Sequence, residues 1–198
     1  VSRCSVDMRV KYYKDNLNLR RMNSEEILES LKNNDSKQSV ISTLTQIEDP
    51  EILQEMIRLF DDEKIEIRGE VFSTLFLNQN DISKQLIWGL THKSKNVRAN
   101  VTLVLANRNE KKLIQEVLRL TKDSSGLVRT CAYGALGHLE CKEGVKELHE
   151  GIFDSNIEAV KSAAYSLSRI GEKISQEEID ELKKNDEPDF EKILKLFN

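Results

Sequence analysis

Nucleophilic chemistry needs a Ser or Cys with a base in reach, and this sequence offers few bases. It has three His (His92, His138, His149) and three Cys (Cys4, Cys131, Cys141) in 198 residues. His138 and Cys141 stand three apart, with Cys131 seven before His138, so these groups can approach one face at a helix end. A zinc site needs three or four ligands in a shaped spacing, and no Cys-x-x-Cys pair is present. His92 falls in a polar stretch that reads as an inter-helix turn, and His149-Glu150 is the one His-Glu pair. No Gly-rich phosphate loop, HExxH or GxSxG occurs. The residues call for no metal, no cofactor and no catalytic set, so the chain reads as a non-enzyme.

What the sequence does repeat is structural. The stretch Asp123 to Glu140 has Asp and two Ser to stop one helix and start another, then Val128-Arg129, then Ala132, Ala135, Leu136 and Leu139 at helical spacing. Copies open at Ile67-Arg68 and Val97-Arg98, a degraded copy at Ala159, and a weaker one at Ser39. The last core aliphatic of each is Ile47, Leu75, Leu105, Leu136 and Leu167, at steps of 28, 30, 31 and 31 residues. Before each lies a second apolar stretch ending in a polar turn, as in ILQEMIRLFDDEK and LIQEVLRLTKDSS, so the unit is two antiparallel helices, A then B. One such pair cannot bury its apolar face alone, and stacking makes a continuous core.

With the turn Asp, Val-Arg, Ala and Leu-Gly of Asp123 to Gly137, and the Ala-Ala to Ile-Gly of Ala163 to Gly171, residues 24 to 174 resemble HEAT repeats, in particular the short phycobilisome-lyase type. The resemblance implies an all-α fold, a right-handed α-α superhelix of about five hairpins, an armadillo-type solenoid with B helices on its concave side. Deoxyhypusine hydroxylase resembles the same architecture and places His-Glu pairs directly after the B-helix Arg. Here those positions hold Gly69-Glu70, Ala99-Asn100 and Thr130-Cys131, so that ligand set is absent.

The sequence divides into a basic extended segment over 1–23, the repeat solenoid over 24–174, and C-terminal capping helices over 175–198. Cys4, Val6, Met8, Val10 and Tyr12 alternate with polar residues, a strand-like period in a helical chain, read either as a loose tail or as a segment that adds to another surface. Residues 1–23 carry six Lys or Arg against two Asp, and the rest 24 basic against 32 acidic groups. An acidic body weighs against nucleic-acid binding. No apolar run reaches membrane-spanning length, and an odd Cys count suits a reducing, cytoplasmic setting. Asn23 with Glu26 and Ser175 with Glu178 predict capping boxes, and Pro50 a helix first turn. Phe60, Trp88, Val71, Leu75, Val101, Leu105 and Leu136 are core candidates. Phe190, Ile193, Leu194 and Phe197 make the last helix amphipathic, either as a lid on the last repeat or as a docking helix.

The function expected is a scaffold that binds a protein or peptide on the concave B-helix surface, as a monomer or weak homodimer. Offsets of one and five from the Val-Arg register give candidate residues Arg68 and Phe72, Arg98 and Thr102, Arg129 and Tyr133; the last unit supplies Lys161 and Tyr165, with the alignment open by one residue. The Arg column has a second reading as partners of turn acids such as Asp62 or Asp123, and the aromatics a second reading as partly buried. The alternatives are a nucleic-acid-binding HEAT-like protein and a regulatory repeat region of a larger enzyme or lyase.

Overall fold

The computed structural model describes residues 22–33, 35–185 and 188–197. The N-terminal alternation at 4–12 and most of the basic segment lie outside them. Every regular element among the described residues is helical. The chain divides into two compact units, 1–85 and 86–198.

The first unit contains α1 (Ser24–Lys32), α2 (Lys37–Ile41), α3 (Pro50–Arg58) and α4 (Ile65–Leu77). α1 starts on the Asn23–Glu26 capping box, in which each side chain accepts from the other's backbone N–H. α3 starts on Pro50, with the Asp49 carboxylate accepting from the N–H groups of Glu51 and Ile52. Ile27, Leu31, Val40, Ile41, Ile52, Leu53, Met56, Ile57, Phe60, Val71 and Leu75 form the core, while Leu28 and Ile47 are half-buried. α2 and α4 pack together. The Thr74 hydroxyl donates to Ile41 O at 3.1 Å, and the Asn78 amide to Ile47 O at 2.8 Å.

α5 (Ser83–Leu90) carries the division between the units. The second unit continues with α6 (Lys95–Asn107), α7 (Ile114–Leu120), α8 (Gly126–His138), α9 (Val145–Gly151), α10 (Ile157–Ile170), α11 (Gln176–Lys183) and α12 (Pro188–Lys195). The A helices α7 and α9 are seven residues long, too short to persist alone, so packing against α8 and α10 holds them. The B helices α6, α8 and α10 end alike. After each, one residue takes a left-handed conformation (Asn109, Glu140, Gly171), and the next N–H bonds back to Leu105 O, Leu136 O or Leu167 O. Those three acceptors are the aliphatics that mark the period, and all three side chains are fully buried.

α6, α8 and α10 pack in succession. Gly137 makes the closest approach: a Cβ there would stand 2.6 Å from Ser166 Cβ and 2.8 Å from Ser166 Cα, so only glycine admits this spacing. The Ser166 and Ser162 hydroxyls donate to Tyr133 O and Thr130 O, both at 2.8 Å. α11 opens on the Ser175–Glu178 capping box. α12 packs on α10 and α11 with Phe190 and Ile193 buried, Leu194 and Phe197 half-buried, and Lys161 Nζ 5.8 Å from the Phe190 ring centre. Trp88 corrects the expected core: it is half-buried, with its ring against that of His92 at 5.4 Å.

Candidate partner-binding surface

The Val-Arg pair recurs because the Arg fastens one repeat to the next. Arg98 Nη1 donates to His92 O and Lys93 O in its own turn, while Nε and Nη2 form a fork with Asp123 at 2.7 and 2.8 Å. Arg129 does the same with Asp123 O and with the Asp154 carboxylate, at 2.7 and 2.6 Å. Each Asp lies 25 residues beyond its Arg, in the following repeat's turn, and also accepts the N–H two residues on. Burial alone would raise the Asp123 and Asp154 pKa values. The Arg fork and the backbone N–H outweigh it and hold both carboxyls below the usual carboxylate range. The hydrogen bonds to Asp123 and Asp154 likewise raise the two Arg values against the opposing effect of burial.

In the first unit the corresponding pair is Lys37 with Asp62, at 2.7 Å. Arg68 therefore meets Asp62 differently from the sequence expectation: its Nη1 donates to Asp62 O at 2.6 Å and Glu63 O at 3.1 Å, not to the carboxylate. Arg98 and Arg129, largely buried and charge-matched, do not form a cationic stripe.

Two expected groove residues are interior. Thr102 has no exposed surface, and its hydroxyl donates to Arg98 O; Tyr133 is 3% exposed, and its hydroxyl donates to Thr121 O at 3.4 Å. Thr102 lies on α6 where it packs on α8, and the Tyr133 ring lies against Gly151 of α9. Burial pushes the Tyr133 phenol up to about 12. Lys161 is half-buried, with Nζ 3.1 Å from Glu158 and 3.8 Å from Asp189. Phe72 is half-buried, its ring stacked on Phe76 at 6.4 Å and 16°. Tyr165 is 44% exposed. Ala164, not Tyr165, takes the buried place 31 residues after Tyr133, just as Leu167 stands 31 after Leu136.

The outward face of the second unit's B helices carries Leu103 and Asn107 on α6, Leu127 and His138 on α8, and Tyr165 and Arg169 on α10, all exposed. Leu103 and Tyr165 are two repeats of 31 residues apart with Gly134 midway, so one column of positions faces outward across three helices. Sequence reasoning found only Tyr165 of this set. The signal for the rest lay in apolar residues on the side of each helix opposite its core stripe.

Of the groups considered for chemistry, the Cys131 thiol is muted and His149 is engaged. Burial pushes the Cys131 thiol up to about 11, so it stays protonated near neutrality. His149 Nδ1 lies 2.5 Å from Glu178 Oε1, where Glu178 also caps α11. Burial opposes the charge on Glu178, but the Ser175 N–H and His149 keep its pKa lowered.

The family model for HEAT repeats matches residues 83–141. This segment consists of HEAT repeats. The HEAT segment covers α5 to α8 and so contains the Arg98–Asp123 fork. Among curated proteins none matches the chain. Among solved structures, an engineered protein superposes with a TM-score of 0.53 at 14% identity, over 88% of this chain and 95% of that one. A computationally designed armadillo repeat protein for modular peptide recognition gives 0.50 at 16%, over 87% and 98%. A designed armadillo repeat protein gives 0.51 at 17%, over 87% and 98%. At such identities the likeness is one of fold, and with the HEAT match it makes the chain an α-solenoid. Among the described residues no helix is long and apolar enough to cross a membrane.

Proposed function

We propose that the chain is a non-enzymatic interaction module that binds a protein or peptide segment on the outward faces of its B helices. The observation that carries this reading is the outward face that holds Leu103, Leu127 and Tyr165, exposed large side chains on helices whose core stripes are fully buried. Such side chains are held in place before a partner arrives, which lowers the ordering cost of binding. An aromatic with a polar tip, as at Tyr165, anchors well. Asn107, His138 and Arg169 supply polar contacts beside them. The armadillo design made for modular peptide recognition uses a fold of this class, which agrees with the proposal. A role distinct from catalysis fits a protonated Cys131 and a His149 already held by Glu178. The free thiols of Cys131 and Cys141 fit a reducing, cytoplasmic setting. The neutralised Arg98 and Arg129 favour a peptide over nucleic acid as the occupant.

A displayed peptide library selected on the purified chain tests this. Enriched peptides should bind wild type and lose at least about tenfold in affinity with Leu103→Asp or Tyr165→Asp, a loss typical of an interface anchor. Enriched peptides indifferent to both substitutions, or no enrichment, would remove the proposal.

A further inference from the structure

The final hairpin, α11 with α12, has more apolar surface than its lid role uses. Phe190 and Ile193 are buried where α12 packs on α10 and α11, and they supply the lid that an amphipathic last helix predicts. Leu194 and Phe197, each one helical turn beyond them, stay half-buried. With Ile174 and Ile179, also half-buried, they floor a cleft of about 310 Å³, within the range of ligand pockets, which begins at about 300 Å³. Lys173 stands just before α11 and Lys183 is its last residue, so a cation borders each end of the apolar floor. Both are exposed and neither is in an ion pair among the described residues, whereas Lys184 and Lys192 are matched by Glu181 and Asp189. Gln176 also lines the cleft and donates its amide to Asp180 at 2.8 Å, so that neighbouring carboxylate is already engaged. Every lining residue belongs to the second unit.

We propose that this cleft docks an acidic amphipathic helix from another protein, one that lays a short apolar stripe over Ile174, Ile179, Leu194 and Phe197 and carries Asp or Glu beyond each end to meet Lys173 and Lys183. The argument for this occupant is charge complementarity. The chain has a formal net charge of −4, so its bulk field favours a basic partner, and two unmatched cations beside an apolar floor reverse that sign locally. A groove between helices reads a third helix through spaced apolar anchors, and the flanking charges set its orientation and on-rate. The Lys stems can lie along the floor while their ammonium groups stay in water to meet the carboxylates. A second copy of the chain is the poorer occupant, because two-fold pairing of this cleft would gather four Lys at one interface. The cleft shares no residue with the α6, α8 and α10 faces, so the two readings succeed or fail separately.

The probes are an 18-residue Leu/Glu amphipathic helix and its Leu/Lys counterpart, each fluorescein-labelled and titrated against the full chain by anisotropy. The Leu/Glu probe should bind more tightly although the chain is acidic, and Leu194→Ser should weaken it about tenfold, the size of one lost anchor. The double charge reversal Lys173→Glu with Lys183→Glu, at two exposed positions, should transfer the preference to the Leu/Lys probe. Equal affinity for both probes, or tighter binding of Leu/Lys by the unaltered chain, would overturn the proposal as mere attraction to an acidic protein. So would Leu/Glu binding that survives both Leu194→Ser and the Lys reversal yet is lost with Tyr165→Asp, which would assign the probe to the B-helix face. Concentration-dependent dimerisation of the unliganded chain that Leu194→Ser abolishes would give the cleft to a second copy and overturn it as well. A melting curve for each variant shows that it remains folded, and the Lys reversal keeps the test decisive should Leu194→Ser loosen the hairpin.

Discussion

The B helices α4 and α6 occupy the same register 30 residues apart and spend one side in opposite ways. On α6, positions 99, 102 and 106 are Ala, Thr and Ala, all buried where α6 packs on α8. On α4, the matching positions 69, 72 and 76 are Gly, Phe and Phe, open, half-buried and exposed. The Arg column divides along the same line. Arg98 and Arg129 each find an Asp 25 residues on, whereas the residue 25 beyond Arg68 is Lys93. One motif thus carries two sets of side chains: small residues and an Arg–Asp fork on α6, where it packs on α8, and bulky apolar residues with a carbonyl-bound Arg on α4.

The largest test of this contrast is the Arg column. Arg129→Ala strands the buried Asp154 and should cost about 3–5 kcal/mol, whereas Arg68→Ala, which removes only donations to carbonyls, should cost about 1 kcal/mol. Urea midpoints with their slopes measure both, and equal losses would erase the distinction. The same fork predicts pH dependence. The Asp123 and Asp154 pKa values are lowered from the ordinary 3.8 in the folded chain, so their stabilisation is complete above that value and is lost as pH falls through the folded values beneath it. Asp154→Asn should flatten the unfolding profile below about pH 4, where the wild-type carboxyls take up protons.

Next comes volume. Ala106→Phe, which writes the α4 residue into α6, should cost about 3 kcal/mol by overpacking, and Phe76→Ala should change stability by no more than about 0.5 kcal/mol. Thermal unfolding of the pair decides it; a neutral Ala106→Phe would mean that the α6–α8 contact is loose.

The smallest effect is the most specific, because one substitution takes opposite signs at two glycines. Gly137→Ala forces a Cβ into Ser166 and should destabilise by about 2 kcal/mol. Gly69→Ala meets open space and should stabilise by about 0.5–1 kcal/mol. Matching signs in denaturant titration would contradict the assignment of covered and open faces.

Local chemistry was readable before any coordinates. The core column Leu75, Leu105, Leu136 and Leu167 follows from period and apolarity, and the boxes at Asn23 and Ser175 from spacing three. The outward face was less legible, for physical reasons. Whether an offset-five residue such as Tyr133 meets water depends on how closely the following elements approach, and those contacts come from Gly151 and Ser166, 18 and 33 residues on. Lys161 and Tyr165 stand one residue beyond the places that continue Arg129 and Tyr133 at a step of 31, which is why Tyr165 is exposed and Ala164 buried. Trp88 looked like core by size alone, yet an indole beside a turn is content half-buried against His92. The turn acid Asp123, legible in the sequence as an Arg partner, pairs with Arg98, whereas Arg68 meets the Asp62 carbonyl and not its carboxylate, which spacing alone did not reveal.

The most direct measurement of the central claim is methyl and aromatic NMR of the chain titrated with a peptide enriched by selection. Shifts concentrated at Leu103, Leu127 and Tyr165, with Leu105 and Leu136 unmoved, are the predicted result. Shifts confined to the A helices α7 and α9, with those three residues silent, would contradict it.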